Sequence, residues 1–532
     1  MMKAARTNKM IHGAMLLTIA GLLSKVLSAT YRIPLQNLTG DIGFFTYQQI
    51  YPLIAMVMIL GLYGIPAAVS KITAERLAVS KQNSFRFVYA PLFLILFVLS
   101  GTLSSILYLF APILTDWMGT PELASTFRLS SVLFLLLPFT SLLRGGFQGA
   151  GIMAPTAYSQ VAEQLIRVTI IILAAYGVFI GKLDVRTIGT AGVLASVIAM
   201  GVVTIVWLWR VLHATSSSVY PRERIPWKYY VSVCLSLGFV AALSHMILIM
   251  LQLIDVFTMV PGLMEAGDGP QQAKEWKGVF DRGQPLIQFG VVFGSSFALA
   301  LVPTIVQEGE ERTNAIREAL LFSIYLAGAA SVGIIILMPE VNGLLFMDQV
   351  GTSSLQILSG SVVLSAIAVT ACSILQNIGK GKTVALWIII VCVLKWFLNK
   401  SLLPFFHIQG GALATVFSLL VLVVSMVYVL HREVRGLDLW NHIRWRGLII
   451  ANLSMVAVIC LVKISFFNTV QFPRWGLGAY VLALIMLGAA INIGLCFRFH
   501  VFTKRQLQAL PFSHFLERIM NKFQKKKDES NV

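Results

Sequence analysis

Residues 87–114 read FVYAPLFLILFVLSGTLSSILYLFAPIL, 28 residues without one charged side chain. As an α-helix this stretch rises about 42 Å, more than the ~30 Å hydrocarbon core of a bilayer. Backbone N–H and C=O groups cannot stay unpaired in lipid, so an apolar run of this length is a spanning helix. The pattern recurs along the chain. Runs near 14–35, 46–69, 87–114, 125–143, 156–180, 187–210, 229–260, 279–306, 316–338, 354–377, 383–404, 409–430, 447–467 and 475–498 predict an all-α integral membrane protein. That is about fourteen helices of spanning length.

Composition agrees. Of the 532 residues, 57% are hydrophobic and only 12% charged, about half the charged share of a soluble domain. The net charge is +18, yet no nucleic-acid-binding motif accompanies it. The basic residues gather instead in alternate gaps: Lys3, Arg6 and Lys9; Lys71, Arg76, Lys81 and Arg86; Arg210, Arg222, Arg224 and Lys228; Arg432, Arg435, Arg444 and Arg446. The opposite gaps are short or acidic, with Asp41, Asp116, Glu122, Glu340 and Asp348. By the positive-inside rule both termini are expected in the cytoplasm, which requires an even number of crossings. The first apolar run is expected to stay as a helix, because no small-residue cleavage site follows it.

The chain repeats itself at an offset of about 220–237 residues. Tyr51-Pro52-Leu53-Ile54 matches Gln284-Pro285-Leu286-Ile287, and Pro66 matches Pro303. Gln148-Gly149-Ala150-Gly151 matches Gln376-Asn377-Ile378-Gly379, and Gly192-Val193-Leu194-Ala195 matches Gly411-Ala412-Leu413-Ala414. Six helices separate the copies, so the halves share one orientation. The expected organisation is a terminal segment 1–13, an N-lobe 14–211, a linker 212–228, a C-lobe 229–431, two further helices within 432–498, and a basic tail 499–532. In the tail, Phe512, Phe515, Leu516, Ile519 and Phe523 alternate with Lys and Arg at helical spacing, the pattern of a helix lying on an anionic leaflet. Repeat-built transporters place their site near the midplane, between the copies.

A charge at the centre of a spanning helix costs about 2.5–3.5 kcal/mol on insertion scales, so intramembrane charges are the first functional candidates. The candidates here are Lys25, Arg32, Arg144, Glu163, Asp255, Arg282 and Lys395. Lys25 lies mid-helix, with Arg32 two turns on. Arg144 closes the fourth helix, where an end position is a sufficient structural reason for it. Glu163 and Arg167, at i,i+4 spacing, are expected to pair with each other. Asp255 is expected to partner Lys25 or Arg282. The set is richer in cations than in acids, which suits an anionic head group such as a pyrophosphate.

Other chemistries lack their residues. Gly381-Lys382-Thr383 ends like a phosphate-binding loop, but Gln376 stands where its first glycine belongs. The five cysteines form no C-x-x-C pair, and no metal or cofactor is expected. The longest gap outside the basic set, about 261–278, reads as an amphipathic linker and is too short for a catalytic domain.

Gly64-Ile65-Pro66-Ala67-Ala68-Val69-Ser70-Lys71, Ser24-Lys25-Val26-Leu27, Arg144-Gly145-Gly146-Phe147-Gln148-Gly149, Glu163-Gln164-Leu165-Ile166-Arg167, Ile254-Asp255 and Leu394-Lys395 together resemble a known group. It is the polysaccharide-biosynthesis and stage V sporulation protein B-like family of the multidrug/oligosaccharidyl-lipid/polysaccharide exporter superfamily, related to lipid II flippases. The resemblance covers roughly residues 10–500. It implies two six-helix lobes, a central cavity and alternating access. It also implies a polyprenyl-pyrophosphate-linked sugar as the partner, its tail held by helices 13 and 14, and a monomer in the bacterial plasma membrane. The second helix carries no Arg in its membrane part, unlike many lipid II flippases, so the broader substrate class is the expectation. The alternatives are a cation-coupled drug exporter, which needs more intramembrane acids, and a non-transporting envelope or spore assembly factor.

Overall fold

A computed structural model describes residues 2–80, 88–214, 225–288, 291–292, 309–466 and 473–502. These residues are helical almost throughout. The elements are α1 (Met2–Thr30), α2 (Arg32–Ile59), a π-helical turn (Leu60–Gly64), α3 (Ile65–Ser80), α4 (Ala90–Trp117), α5 (Ala124–Gly149), α6 (Ala154–Phe179) and α7 (Thr187–Ala214). Then come α8 (Trp227–Val233), a second π turn (Cys234–Gly238), α9 (Phe239–Glu265), α10 (Pro270–Asp281), α11 (Glu310–Phe346), α12 (Thr352–Ser359), α13 (Ser361–Asn377), α14 (Gly381–Glu433), α15 (Trp445–Phe466) and α16 (Arg474–Arg498).

Among the described residues, eleven helical stretches are long and apolar enough to cross a membrane. Two of them, 64 and 53 residues long, would rise about 96 and 80 Å if straight, far beyond one bilayer. Both are broken. Gly40 has φ 66° inside α2, and His407 has φ 53° inside α14. A single left-handed residue therefore replaces each of the two loops expected there, and residues 36–45 are helical on either side of Gly40. The eighth expected span, 279–306, falls largely outside the described residues, as does the tail beyond Phe502.

Residues 261–278, expected as an amphipathic linker, are largely helical. α9 continues to Glu265, and the stretch then folds into α10, with Lys277, Gly278 and Asp281 buried. Gly278 meets the backbone of Asp41 so closely that a Cβ would lie 2.3 Å from the Asp41 carbonyl oxygen. Lys277 and Asp281 neutralise each other at 2.5 Å and can be buried.

The contacts divide the chain into two compact units, Met1–Asp281 with Asn399–His407, and Arg282–Leu398 with Ile408–Val532. In the first unit, Ile50, Ile54, Val57, Leu133, Leu137 and Val193 form part of one apolar core. In the second, α15 and α16 pack on α11 through Leu337, Met455, Ile459 and Leu484. Large apolar side chains such as Leu109, Ile205, Phe397 and Ile464 face outward. Such a surface suits lipid, where small residues and interhelical hydrogen bonds hold helices together.

The repeat read from the sequence is visible in local geometry within each unit. α5 ends with Gly151 N–H donating to Gln148 C=O (2.9 Å) and Ile152 N–H to Phe147 C=O (2.9 Å). α13 ends with Gly379 N–H donating to Gln376 C=O (2.9 Å) and Lys380 N–H to Leu375 C=O (2.9 Å). Gly151 and Gly379 have φ 78° and 84°, so the two copies use the same left-handed glycine cap. Likewise Ser104 Oγ donates to Ser131 C=O (2.9 Å), and Ser331 Oγ to Ser359 C=O (2.8 Å).

Candidate functional site

The first unit holds most of the expected charges. Arg144 is not an end residue, since α5 runs five residues further, to Gly149. Its guanidinium is buried. Nε donates to Ser159 Oγ (3.0 Å), Nη1 to Gly61 C=O (3.2 Å), and Nη2 lies 2.8 Å from Glu163 Oε1. The expected pairing of Glu163 with Arg167 is therefore wrong. Arg167 donates instead to Gln164 Oε1 and approaches Met58 Sδ. Spacing along one helix offered Arg167 to Glu163, but the neighbouring helix brings a second arginine closer.

Arg32 is wholly buried. Its guanidinium lies 4.0 Å from the centre of the Tyr51 ring, a cation–π contact. Tyr31 and Tyr47 flank it, edge to face at 6.0 Å, with their hydroxyls hydrogen-bonded to each other. Lys25 is exposed on α1. One turn before it, a Cβ on Gly21 would lie 3.7 Å from the hydroxyl of Tyr63, whose ring stacks on His245 at 4.2 Å.

Asp255 is buried and accepts from Asn399 Nδ2 (3.0 Å), which also donates to Thr258 Oγ1 (2.7 Å). The sequence names Lys25 or Arg282 for Asp255 and gives no sign of Asn399.

In the second unit, Arg282 is buried and forks onto Asp348. Nη1–Oδ1 is 2.6 Å and Nη2–Oδ2 2.9 Å, the bidentate geometry of a strong pair. Burial alone would raise the Asp348 carboxyl. The Arg282 hydrogen bonds, the Val350 N–H and the Arg282 charge more than offset that and hold it below its ordinary value. Lys395 is wholly buried on α14. Lys463 pairs with buried Glu340 at 2.7 Å and ties α15 to α11.

Sequence reasoning missed Tyr47, Tyr51, Tyr63, Gln160, His245 and Lys277. Tyr47 and Tyr51 stand at i,i+4, and Lys277 and Asp281 likewise, so a search for polar pairs at that spacing would have flagged both. Tyr63 and His245 carry no such signal, because they are 182 positions apart in sequence. Among the described residues, no group of three His, Cys, Asp or Glu side chains could hold a metal ion.

Comparison with known proteins shows the family and the fold. An uncharacterised membrane protein of Bacillus subtilis, YabM, is 32% identical over 96% of both chains. The lipid II flippase MurJ of the same species is 25% identical over 77% of this chain and 80% of its own. A solved structure of lipid II flippase MurJ, in an inward closed conformation, superposes with a TM-score of 0.69 at 12% identity, over 91% of this chain and 99% of its own. An inward-facing multidrug resistance transporter of the MATE family, within the MOP superfamily, superposes at 0.59 and 15% identity, over 77% and 94%. Likeness at such low identity establishes the fold that flippases and drug transporters share. The sequence pattern of the polysaccharide biosynthesis protein family matches residues 10–308, more than half of the chain. The chain belongs to that family.

Proposed function

We propose that this protein moves a lipid-linked sugar precursor across the bacterial cell membrane by alternating access, with both termini in the cytoplasm. The observation that carries this reading is the pair Lys25 and Arg32, two cations two turns apart in the membrane interior of the first unit. Lys25 is exposed, and the Arg32 guanidinium rests on the Tyr51 ring, flanked by Tyr31 and Tyr47. Cations in a low-dielectric setting favour an anionic ligand, and a pyrophosphate supplies the charge and the oxygen acceptors. The sequence relationship to a lipid II flippase supports the same class.

Drug export coupled to cations is less well supported. It calls for acids able to bind a cation, whereas Glu163 is paired with Arg144. On the flippase reading, α15 and α16 hold the prenyl tail, and the protein works as a monomer.

The test is exchange of a fluorescent polyprenyl-pyrophosphate sugar in liposomes containing the purified protein. Wild type is expected to speed exchange, and Lys25→Ala and Arg32→Ala each to slow it at least about tenfold, the equivalent of one charge-assisted hydrogen bond. Wild type no faster than empty liposomes, with or without an ion gradient, overturns the reading.

A further inference from the structure

Tyr63 belongs to the π turn Leu60–Gly64 and stacks on His245 of α9, with ring centres 4.2 Å apart and planes 19° from parallel. The backbone sets this stack. A Cβ on Gly64 would lie 2.7 Å from the Gly238 carbonyl oxygen and 2.8 Å from Ala242 Cβ. Only glycine lets the two segments approach so closely. His245 stands three residues beyond Ala242, on the same helix face, and Tyr63 is one residue before Gly64, so the close approach delivers one ring onto the other.

Two buried polar groups hold the arrangement. Gln160 hydrogen-bonds the Tyr63 hydroxyl, and Arg144 Nη1 donates to the Gly61 carbonyl within the π turn at 3.2 Å. A π turn leaves its backbone imperfectly bonded and recurs at functional sites. Here a charged donor satisfies a carbonyl of that turn.

A pair of rings that only filled the core would be buried. His245 is exposed, and so is Lys25, which stands one turn beyond Gly21, where an added Cβ would lie 3.7 Å from the Tyr63 hydroxyl. A lysine and a histidine facing hydrocarbon together would be costly, so this face is one that meets polar material. An aromatic surface beside a cation offers two different contacts. The flat C–H face of a sugar ring packs on the aromatic ring, and a phosphate joined to that sugar reaches the cation.

We infer that His245, backed by Tyr63, is a stacking platform for the sugar bonded directly to the pyrophosphate, adjoining a phosphate seat at Lys25. The inference rests on the lipid-linked sugar reading above and makes His245 a specificity-determining residue within it.

The experiment compares two probes with the full-length protein in nanodiscs: polyprenyl pyrophosphate alone, and the same lipid carrying one N-acetylhexosamine. Affinity for each is measured for wild type, His245→Leu, His245→Phe and Lys25→Ala, and exchange is then measured in liposomes. Wild type is expected to bind the sugar-bearing lipid more tightly by about five- to tenfold, the usual worth of an aromatic contact. His245→Leu should bring that ratio close to one without changing affinity for the sugar-free lipid. His245→Phe should keep the ratio, and Lys25→Ala should weaken both probes alike. Equal losses for both probes in His245→Leu, an unchanged ratio, or a ratio lost equally in His245→Phe overturns the platform. Wild type that binds and exchanges neither probe overturns the transport reading itself, and the platform with it. Wild type that binds both equally while exchanging them sinks the platform alone.

Discussion

Arg144 Nη2 lies 2.8 Å from Glu163 Oε1, and neither side chain is more than 6% exposed. The same guanidinium reaches Ser159 and the π turn at Gly61, so one residue joins α5, α6 and the segment after α2. Removing one member of a buried pair strands the other charge, at about 3–5 kcal/mol, whereas replacing both with apolar groups costs far less. Glu163→Ala should therefore lower the thermal unfolding midpoint of the purified protein more than the double variant Arg144→Met/Glu163→Leu does. A double variant that unfolds lower than Glu163→Ala would mean that the pair itself, and not the stranded arginine, governs stability.

Gly64 gives a steric prediction. Any Cβ there meets the Gly238 carbonyl and Ala242, and overpacking of this kind costs about 1–3 kcal/mol. Gly64→Val should lower the unfolding midpoint clearly. Gly328→Ala on α11 has nothing within 4 Å of the added methyl and should leave the midpoint unchanged or raise it. Equal effects at the two positions would contradict the described packing.

The repeated serine contacts predict matched energetics. Ser104 bonds the Ser131 carbonyl and Ser331 the Ser359 carbonyl at nearly the same distance. Interhelical hydrogen bonds in membranes average about 0.6 kcal/mol. Ser104→Ala and Ser331→Ala should each cost about that much in a reversible unfolding titration. A loss confined to one of them would show that the two copies are not equivalent in energy.

Asp348 predicts a pH dependence. Its carboxyl titrates below its ordinary value in the folded protein. The folded state thus binds fewer protons than the unfolded state near the ordinary carboxylate range. The Arg282 pair contributes fully above about pH 4, the unperturbed aspartate value, and its contribution is lost as pH falls through the depressed folded value. The gap in unfolding midpoint between wild type and Asp348→Asn should therefore be constant from pH 7 to 5 and close below about pH 4. Asp348 is partly exposed, so the gap is modest. A gap that widens on acidification would reverse the sign of the argument.

Orientation is checked by labelling. Ala266 follows α9 and Arg435 follows α14, and both are exposed. In a variant lacking the five native cysteines, a cysteine at Ala266 should react with a membrane-impermeant maleimide in intact cells. One at Arg435 should react only after permeabilisation. The opposite pattern would invert the topology read from the basic gaps.

The sequence by itself determined the membrane class and most helices. Apolar length is measured against a fixed bilayer thickness, and Gln148–Gly151 and Gln376–Gly379 announce the same helix cap in letters. It also marked Arg32, Arg144 and Asp255 as worth attention, because the cost of charge in hydrocarbon needs no neighbours to be computed. The tertiary structure alone decided the partners. Glu163 chose Arg144 over Arg167, Asp255 received an amide from Asn399, α10 buried Lys277, and Gly64 brought Tyr63 onto His245. Hydrogen bonds and ion pairs act over about 3 Å, and that scale is set by how helices pack, which spacing along one helix does not encode.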